Sequence, residues 1–328
     1  MLTHLRATLW LLFLTAALCC VAYPLVLWGI GRTVFSHQAE GSLLPEAGGS
    51  QLIAQPFKDK KYFQPRPSSA GSSGYDASAS SGSNMAASNP LLRDRVARQL
   101  GTLAKYKGGR LVGDDIETWF EVQPKGFAVN WAKAHPLLAK QWVSDNSEAV
   151  AHWLEKEEKA VKDDPEAAAN EFFASYTQKA EPGETDTATW PTVDTQIVDG
   201  KEVKRIKPER KGDDVRAYLF ESWLQDPKNK ESVAKVVKIP ADLIMASGSG
   251  LDPHITLDSA LYQIDRVAPA WVEKTGVKEK AVREEIEKLL RDNAKSPLGG
   301  LAGVSLVNVL EINRELEPCV KRAGAKDR

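Results

Sequence analysis

Between Leu9 and Ile30 the chain reads LWLLFLTAALCCVAYPLVLWGI without one charged residue, and Arg6 and Arg32 bracket the run. A helix rises about 1.5 Å per residue, so a run of this length matches the ~30 Å hydrocarbon core of a bilayer. Trp10 and Trp28 stand near its two ends, where amphipathic indoles favour the headgroup level. A signal peptide has a shorter apolar stretch, about 7–15 residues. Its only passable cleavage site here, Cys20-Val21-Ala22, would leave the apolar stub YPLVLWGI on the mature chain. A lipoprotein anchor wants a small residue before its cysteine, and Leu18 and Cys19 stand there instead. The run therefore reads as an uncleaved transmembrane helix, with Pro24 as a possible kink of the kind membrane helices tolerate. A short amino-terminal tail usually stays in the cytoplasm and a long following domain translocates largely regardless of its charge. That expectation puts the soluble body outside the cytoplasm.

Charge excludes one large class of function. The 43 basic and 44 acidic residues of the 328 leave a formal net charge of -1, so no global field draws in nucleic acid. Cys19 and Cys20 lie inside the apolar run and Cys319 near the tail, which spells out neither a disulfide framework nor a metal cage. No HExxH or CxxC spacing occurs, and metal catalysis has no support.

Beyond the anchor, Leu52-Ile53-Ala54 reads as a short strand-like piece. Residues 68–88 contain Ser, Gly or Ala at 17 of 21 positions, by composition a flexible linker, although Tyr75, Asp76 and Asn84 interrupt it. Asn89 as N-cap and Pro90 at the first helical position open a helix. Its apolar stripe is Leu92, Val96, Leu100 and Leu103, with Arg93, Asp94, Arg95 and Arg98 facing away and Gly108-Gly109 ending it.

From about Tyr106 to Lys238 the text changes to Trp, Lys and Glu and holds six of the nine tryptophans. Trp131, Trp142 and Trp153 recur every eleven residues, close to three helical turns. Pro136 and the SDNSE stretch from Ser144 divide them between two helices, with the indoles as core anchors or as a cap on a partner surface. Asp199-Gly200 between Thr195–Val198 and Val203–Ile206 predicts a hairpin. Farther on, 239–246 is a strand-like run and Thr256 an N-cap for a helix carrying Leu257, Leu261 and Ile264. A charged amphipathic helix follows over 278–293 with Val282, Ile286 and Leu289 inward. A closing strand over 304–309 and a short final helix over 310–316 complete the pattern.

Seven blocks then resemble one family in sequence and in order. They are QAEGSLL (38–44), SQLIAQ-F (50–57), YF--RPS (62–68), SGSN-A-SNP (81–90), IMASGSGLDPHIT (244–256), A--QI-RVA (260–268) and VNVLEIN (307–313). Together with the preceding anchor they are similar to the C chain of the potassium-transporting ATPase, the KdpC family. The resemblance covers roughly 1–105 and 239–316 and leaves 106–238 as a large insert. It implies an α+β fold: a single N-terminal transmembrane helix (1–33, spanning about 9–30), then a KdpC-like soluble domain in two parts (34–105 and 239–328) interrupted by a mostly helical insert. It also implies a non-catalytic accessory subunit of an ATP-driven, high-affinity potassium importer in the cell (inner) membrane. The partners would be a P-type ATPase chain and a channel-like potassium-translocating chain. The family is described as a catalytic chaperone that raises the ATP affinity of the ATPase chain, with ATP binding transiently.

An ATP site of the chain's own would show a Walker loop, and no GxxxxGK[ST] occurs. Ser81, Gly82, Ser83 and Asn84 have the small side chains of an anion-binding nest, or of a tight turn docking on a partner. Ser247, Ser249, Asp252 and His254 form the second cluster, read as a structural Gly-rich connection feeding the Thr256 cap or a partner contact, and otherwise as ligand-binding or catalytic. A hydrolase built on Asp252, His254 and a serine lacks the GxSxG elbow. A membrane-tethered extracytoplasmic binding module is the other alternative.

Overall fold

The computed structural model describes residues 2–44, 49–124, 126–160, 163–178, 189–198, 200–209, 212–301 and 303–326. In chain order the main elements are α1 (Leu2–Val34), α2 (Ser36–Ala39), β1 (Leu43–Leu44), β2 (Gly49–Ser50), α3 (Pro90–Leu103) and α4 (Gly113–Glu121). Then come α5 (Phe127–Ala134), α6 (Pro136–Asp145), α7 (Ser147–Lys156), α8 (Pro165–Gln178), the strands β3 (Trp190–Val198) and β4 (Lys201–Glu209), and α9 (Asp213–Gln225). The chain ends with β5 (His254–Thr256), α10 (Leu257–Thr275), α11 (Glu279–Asp292), β6 (Leu306–Asn308) and α12 (Val309–Lys326). Contacts divide the chain into two bodies, one made of 1–82 with 246–328 and one of 83–245.

Helix α1 is long and apolar enough to cross a membrane, and none of its apolar window is buried. It does not break at Pro24. A π-helical turn over Ala17–Ala22 precedes the proline, with Tyr23 N–H donating five residues back to the Leu18 carbonyl. Widening the turn redistributes the bonds that a proline would otherwise leave open.

The soluble part of the first body is three helices, α11 lying between α10 and α12, beside the antiparallel pair β5–β6. Their apolar faces meet in a core that includes Ile264, Val267, Trp271, Ile286, Leu290 and Leu316. Thr256 caps α10 by accepting from Ser259 N–H at 3.1 Å, and Gly276 ends it with a left-handed backbone of φ +69°. Asn308 opens α12 by accepting from Leu310 N–H at 3.0 Å. Two side-chain amides hold an irregular segment to these helices as a strand partner would. Asn313 accepts from Phe63 N–H and donates to its carbonyl (2.8 and 2.9 Å), and Gln263 does the same for Gln64 (2.8 and 3.0 Å).

Four expectations for this body and its flank need correction. Residues 52–54 form a turn in which Ala54 is buried, not a strand. Residues 239–246 hold a single 3₁₀ turn, Ala241–Leu243, entered from Pro240, which has no N–H to give to a strand ladder. The closing strand shrinks to Leu306–Asn308, and Val309 is already helical. The final helix runs on past Pro318 to Lys326, since Leu316, Cys319, Val320 and Ala323 continue its buried stripe.

In the second body α3 starts as its cap predicts, Asn89 Oδ1 accepting from Leu91 N–H at 3.0 Å. Its buried face is Asp94, Ala97 and Gly101, whereas Leu92, Val96, Leu100 and Leu103 are half-buried. The reason is close approach to α9: a Cβ on Gly101 would lie 1.9 Å from the Arg216 carbonyl oxygen. The helix also stops at Leu103, short of the Gly108-Gly109 turn. Trp131, Trp142 and Trp153 sit on three helices, α5, α6 and α7, rather than two. Pro136 begins α6, and a new helix begins at Ser147. Trp142 stacks on Phe172 at 5.2 Å, and Trp131 meets Trp190 edge-on at 4.7 Å, in a core built largely of aromatic rings. The hairpin pairs Val198 with Lys201, and its strands extend well beyond the expected runs. Gly200 takes φ +76° in the turn, while Asp199 lies outside the described residues.

Asp214, at the start of α9, accepts from the Trp142 indole N–H at 3.1 Å. Burial pushes its pKa up to about 6, with the Trp142 bond opposing and Asp213 and Asp145 nearby adding to the rise. A carboxyl with a raised folded-state pKa contributes stability that is complete below about pH 4 and lost as pH rises through about 6. The loss is on the order of 2–3 kcal/mol. Denaturant unfolding followed by tryptophan fluorescence at pH 5 and pH 7.5 should therefore show a smaller pH dependence in Asp214→Asn than in the native chain. Identical pH dependence in the two would contradict this assignment.

Candidate functional site

The first body is closed where segment 66–82 lies against segment 246–254. Ser68 is the hub. Its Oγ donates to the Gly250 carbonyl (2.5 Å) and accepts from Tyr75 N–H (2.7 Å) and Ala70 N–H (3.2 Å). The Tyr75 hydroxyl donates back to the Arg66 carbonyl at 2.8 Å, and burial pushes that phenol up to about 12. Ala70 is fully buried beneath them. The segment whose composition suggests a free linker is thus tied down by its own hydroxyls and by backbone contacts.

Two glycines allow the backbones to touch. A Cβ on Gly82 would lie 2.8 Å from the Gly248 carbonyl oxygen. One on Gly250, whose φ is +71°, would lie 2.6 Å from the Ser81 carbonyl oxygen and 2.8 Å from the Ala70 nitrogen. Across this contact Ser81 N–H and Ser80 Oγ both donate to the Ser249 carbonyl at 3.0 Å. Ser247 is buried and its carbonyl accepts from Gly250 N–H, while Ser249 Oγ accepts from Leu251 N–H at 3.1 Å. Asp252 Oδ1 accepts from His254 N–H and stands 3.0 Å from His254 Nδ1. That bond, ahead of the Arg66 guanidinium 3.9 Å away, holds the Asp252 carboxyl below its usual range.

Of the residues singled out from sequence, Ser81, Gly82, Ser247, Ser249, Asp252 and His254 belong to this body. Ser83 and Asn84 begin the other body, where Asn84 takes a left-handed backbone with φ +49°. Ser81 N–H, a donor that a phosphate nest would use, already serves Ser249. Among the described residues no serine hydroxyl of this segment is bonded to the His254 imidazole, and no group of three or more His, Cys, Asp or Glu is placed to hold a metal. The geometry gives an ordered polar segment in which Ser68 Oγ, Ser80 Oγ and Ser81 N–H all donate within the body. Sequence reasoning assigned no site role to Arg66, Ser68 or Tyr75, although the first two stand in the YF--RPS block. Tyr75 and Asp76 were the visible signal, as a linker has no use for a buried ring.

The family model described as K+-transporting ATPase, c chain (KdpC) matches residues 5–118 and 213–318. The chain belongs to this family. The KdpC subunit of Caulobacter vibrioides (strain NA1000 / CB15N) is 43% identical over 122 residues, 36% of this chain and 61% of that relative. That of Sorangium cellulosum is 42% identical over 123 residues, 36% of this chain and 65% of the relative. The match therefore spans less than two thirds of these relatives. The KdpC subunit of Rhodopseudomonas palustris (strain BisB5) is 26% identical but aligns over 98% of this chain and 100% of its own length. All the candidate residues fall inside the matched ranges. The unmatched 119–212 begins and ends at neighbouring points, since Gly212 N–H donates to Glu117 Oε1 at 3.0 Å.

Gly250→Ala and Gly82→Ala should each lower the thermal midpoint, by the equivalent of about 1–3 kcal/mol expected for overpacking. Gly248→Ala, whose Cβ would meet nothing within 4 Å, should change it by less than about 0.5 kcal/mol. Equal midpoints in all three variants would mean the two segments do not touch.

Proposed function

We propose that this KdpC-family chain is a non-catalytic accessory subunit of an ATP-driven potassium importer. Helix α1 holds it in the cell membrane, with the amino terminus in the cytoplasm and the folded body outside. The observation that carries this reading is the family match in two blocks, 5–118 and 213–318, preceded by a helix long and apolar enough to span a bilayer. Its partners are a P-type ATPase chain and a channel-like potassium-translocating chain, on which hydrolysis and ion passage take place.

The contact of 66–82 with 246–254 is the part we assign to partner docking. A surface whose hydrogen bonds are already made loses little freedom on association. A body outside the cytoplasm does not meet cytoplasmic ATP, and the Ser81 donor is used within the fold. Any effect on the ATP affinity of the ATPase chain would then pass through protein contacts, the catalytic-chaperone role without direct nucleotide binding. Residues 106–238 we read as an added, mostly helical module, supported by its aromatic core.

Cells lacking this chain should fail to grow when potassium is limiting, and the full-length chain should restore growth. Replacing 122–211 by a short Gly/Ser link should also restore it, with a lower thermal midpoint because Tyr218 and Val215 lose aromatic cover. Undiminished potassium-limited growth without the chain would sink the accessory-subunit reading.

A further inference from the structure

The turn between α11 and β6, and Leu52 near its base, leave apolar side chains open to solvent among the described residues. Leu301 is 90% exposed, and Val304 and Leu52 are each 59% exposed. Gly299, Gly300 and Gly303 all adopt positive φ, +65°, +90° and +79°. The base of the turn is fixed by reciprocal backbone bonds between Lys295 and Leu306 (2.8 and 2.9 Å) and by the Ser296 and Ser305 hydroxyls 2.9 Å apart. A Cβ on Gly303 would lie 3.3 Å from Pro297 Cγ, so the turn is packed against its own start. Pro297, Leu306 and Leu52 line one open depression of about 410 Å³, with His254 and Lys295 among its polar residues. The Lys295 side chain is 81% exposed, with its ammonium 3.8 Å from a carboxylate oxygen of the less exposed Glu311.

This patch is joined to the end of α1 by a short relay of hydrogen bonds. Arg32, in the last turn of α1, pairs with Glu40 at 2.7 Å. Ser42 N–H donates to the His37 carbonyl, Gln51 N–H to the Ser42 carbonyl at 3.0 Å, and Asn308 Nδ2 to the Gln51 carbonyl at 2.9 Å. The Gln51 side chain is also bonded to Glu311. Leu52 and Asn308 therefore lie a few bonded links from Val34, where the apolar helix ends. An exposed leucine alone needs no explanation. Leu301 and Val304 exposed on a pinned glycine turn, Leu52 beside Pro297 and Leu306 at the base of that turn, and an apolar helix ending a few bonded links away fit the headgroup region of a bilayer.

We propose that Leu52, Leu301 and Val304, with Lys295 beside them, form a second contact with the phospholipid surface next to the point where α1 leaves the membrane. The proposal rests on the reading of α1 as a membrane span. Two contacts restrict the tilt and rotation that a single helix leaves free, and so present the 66–82/246–254 face in one orientation.

The test uses the full-length chain in bilayer nanodiscs of phosphatidylethanolamine and phosphatidylglycerol. A genetically encoded environment-sensitive fluorophore replaces Leu301, Leu14 or Lys280 in turn. Leu14 lies inside the apolar window, and Lys280 is on the first turn of α11, about 18 Å along the helix from its Asp292 end. The Leu301 probe should be blue-shifted and quenched most by nitroxide carried at the headgroup level, the Leu14 probe by nitroxide deep in the acyl region, and the Lys280 probe by neither. Quenching at Leu14 without quenching at Leu301 overturns the second contact while the span stands. Loss of both signals overturns the contact together with the span. Equal quenching at Leu301 and Lys280 overturns it as non-specific, and a Leu301 probe shielded only when partner chains are present, without lipid quenching, replaces lipid by a protein partner.

Discussion

The backbone contact between 66–82 and 246–254 is the constraint on which the first body depends. Its two halves are separated by residues 83–245, a whole second body. The entropy of closing so long an excursion grows only logarithmically with its length, so a modest set of well-made bonds suffices. Those bonds are Ser68 to Gly250, Ser81 to Ser249 and Ala54 to Leu251, made where Gly82 and Gly250 remove the Cβ atoms that would keep the chains apart. Each is a backbone group satisfied inside the fold, as a segment without regular strands requires. The amide clamps of Gln263 and Asn313 on Gln64 and Phe63 extend the same device to the helical core.

The second body rests on different physics. Its core is dominated by indole and phenyl rings, and several indoles keep a polar partner: Trp119 with Asp226, Trp142 with Asp214, Trp153 with Ser175. Trp131 and Trp190 are buried with no partner for the indole nitrogen among the described residues, so there the burial of ring surface outweighs an unmet donor.

Local signals were legible. Thr256 and Asn89 form the caps their positions predict, because a side-chain oxygen acting on the next turn needs no tertiary context. Val282, Ile286 and Leu289 face inward as their spacing predicts. Features that depend on a distant neighbour were not legible. The true face of α3 is chosen by α9 pressing on Gly101, and the leucine stripe is half-buried as a consequence. Short apolar runs at 52–54 and 239–246 were ambiguous because periodicity over so few residues separates neither strand from turn nor strand from helix. The final helix, expected to end at 316, runs on because the buried stripe continues through Cys319, Val320 and Ala323. At the candidate site the residues were named from their motifs, but their roles were not. Only the folded chain reveals that Ser81 gives its N–H to Ser249 and that the supposed linker is held by Ser68.

As proposed, this chain works as one part of a potassium-importing assembly. The most direct measurement is affinity purification of the tagged full-length protein from its native membrane in mild detergent, with identification of the co-purifying chains. A P-type ATPase and a channel-like potassium-translocating chain should be recovered with it. Recovery of the protein alone, or with unrelated chains, would contradict the proposal.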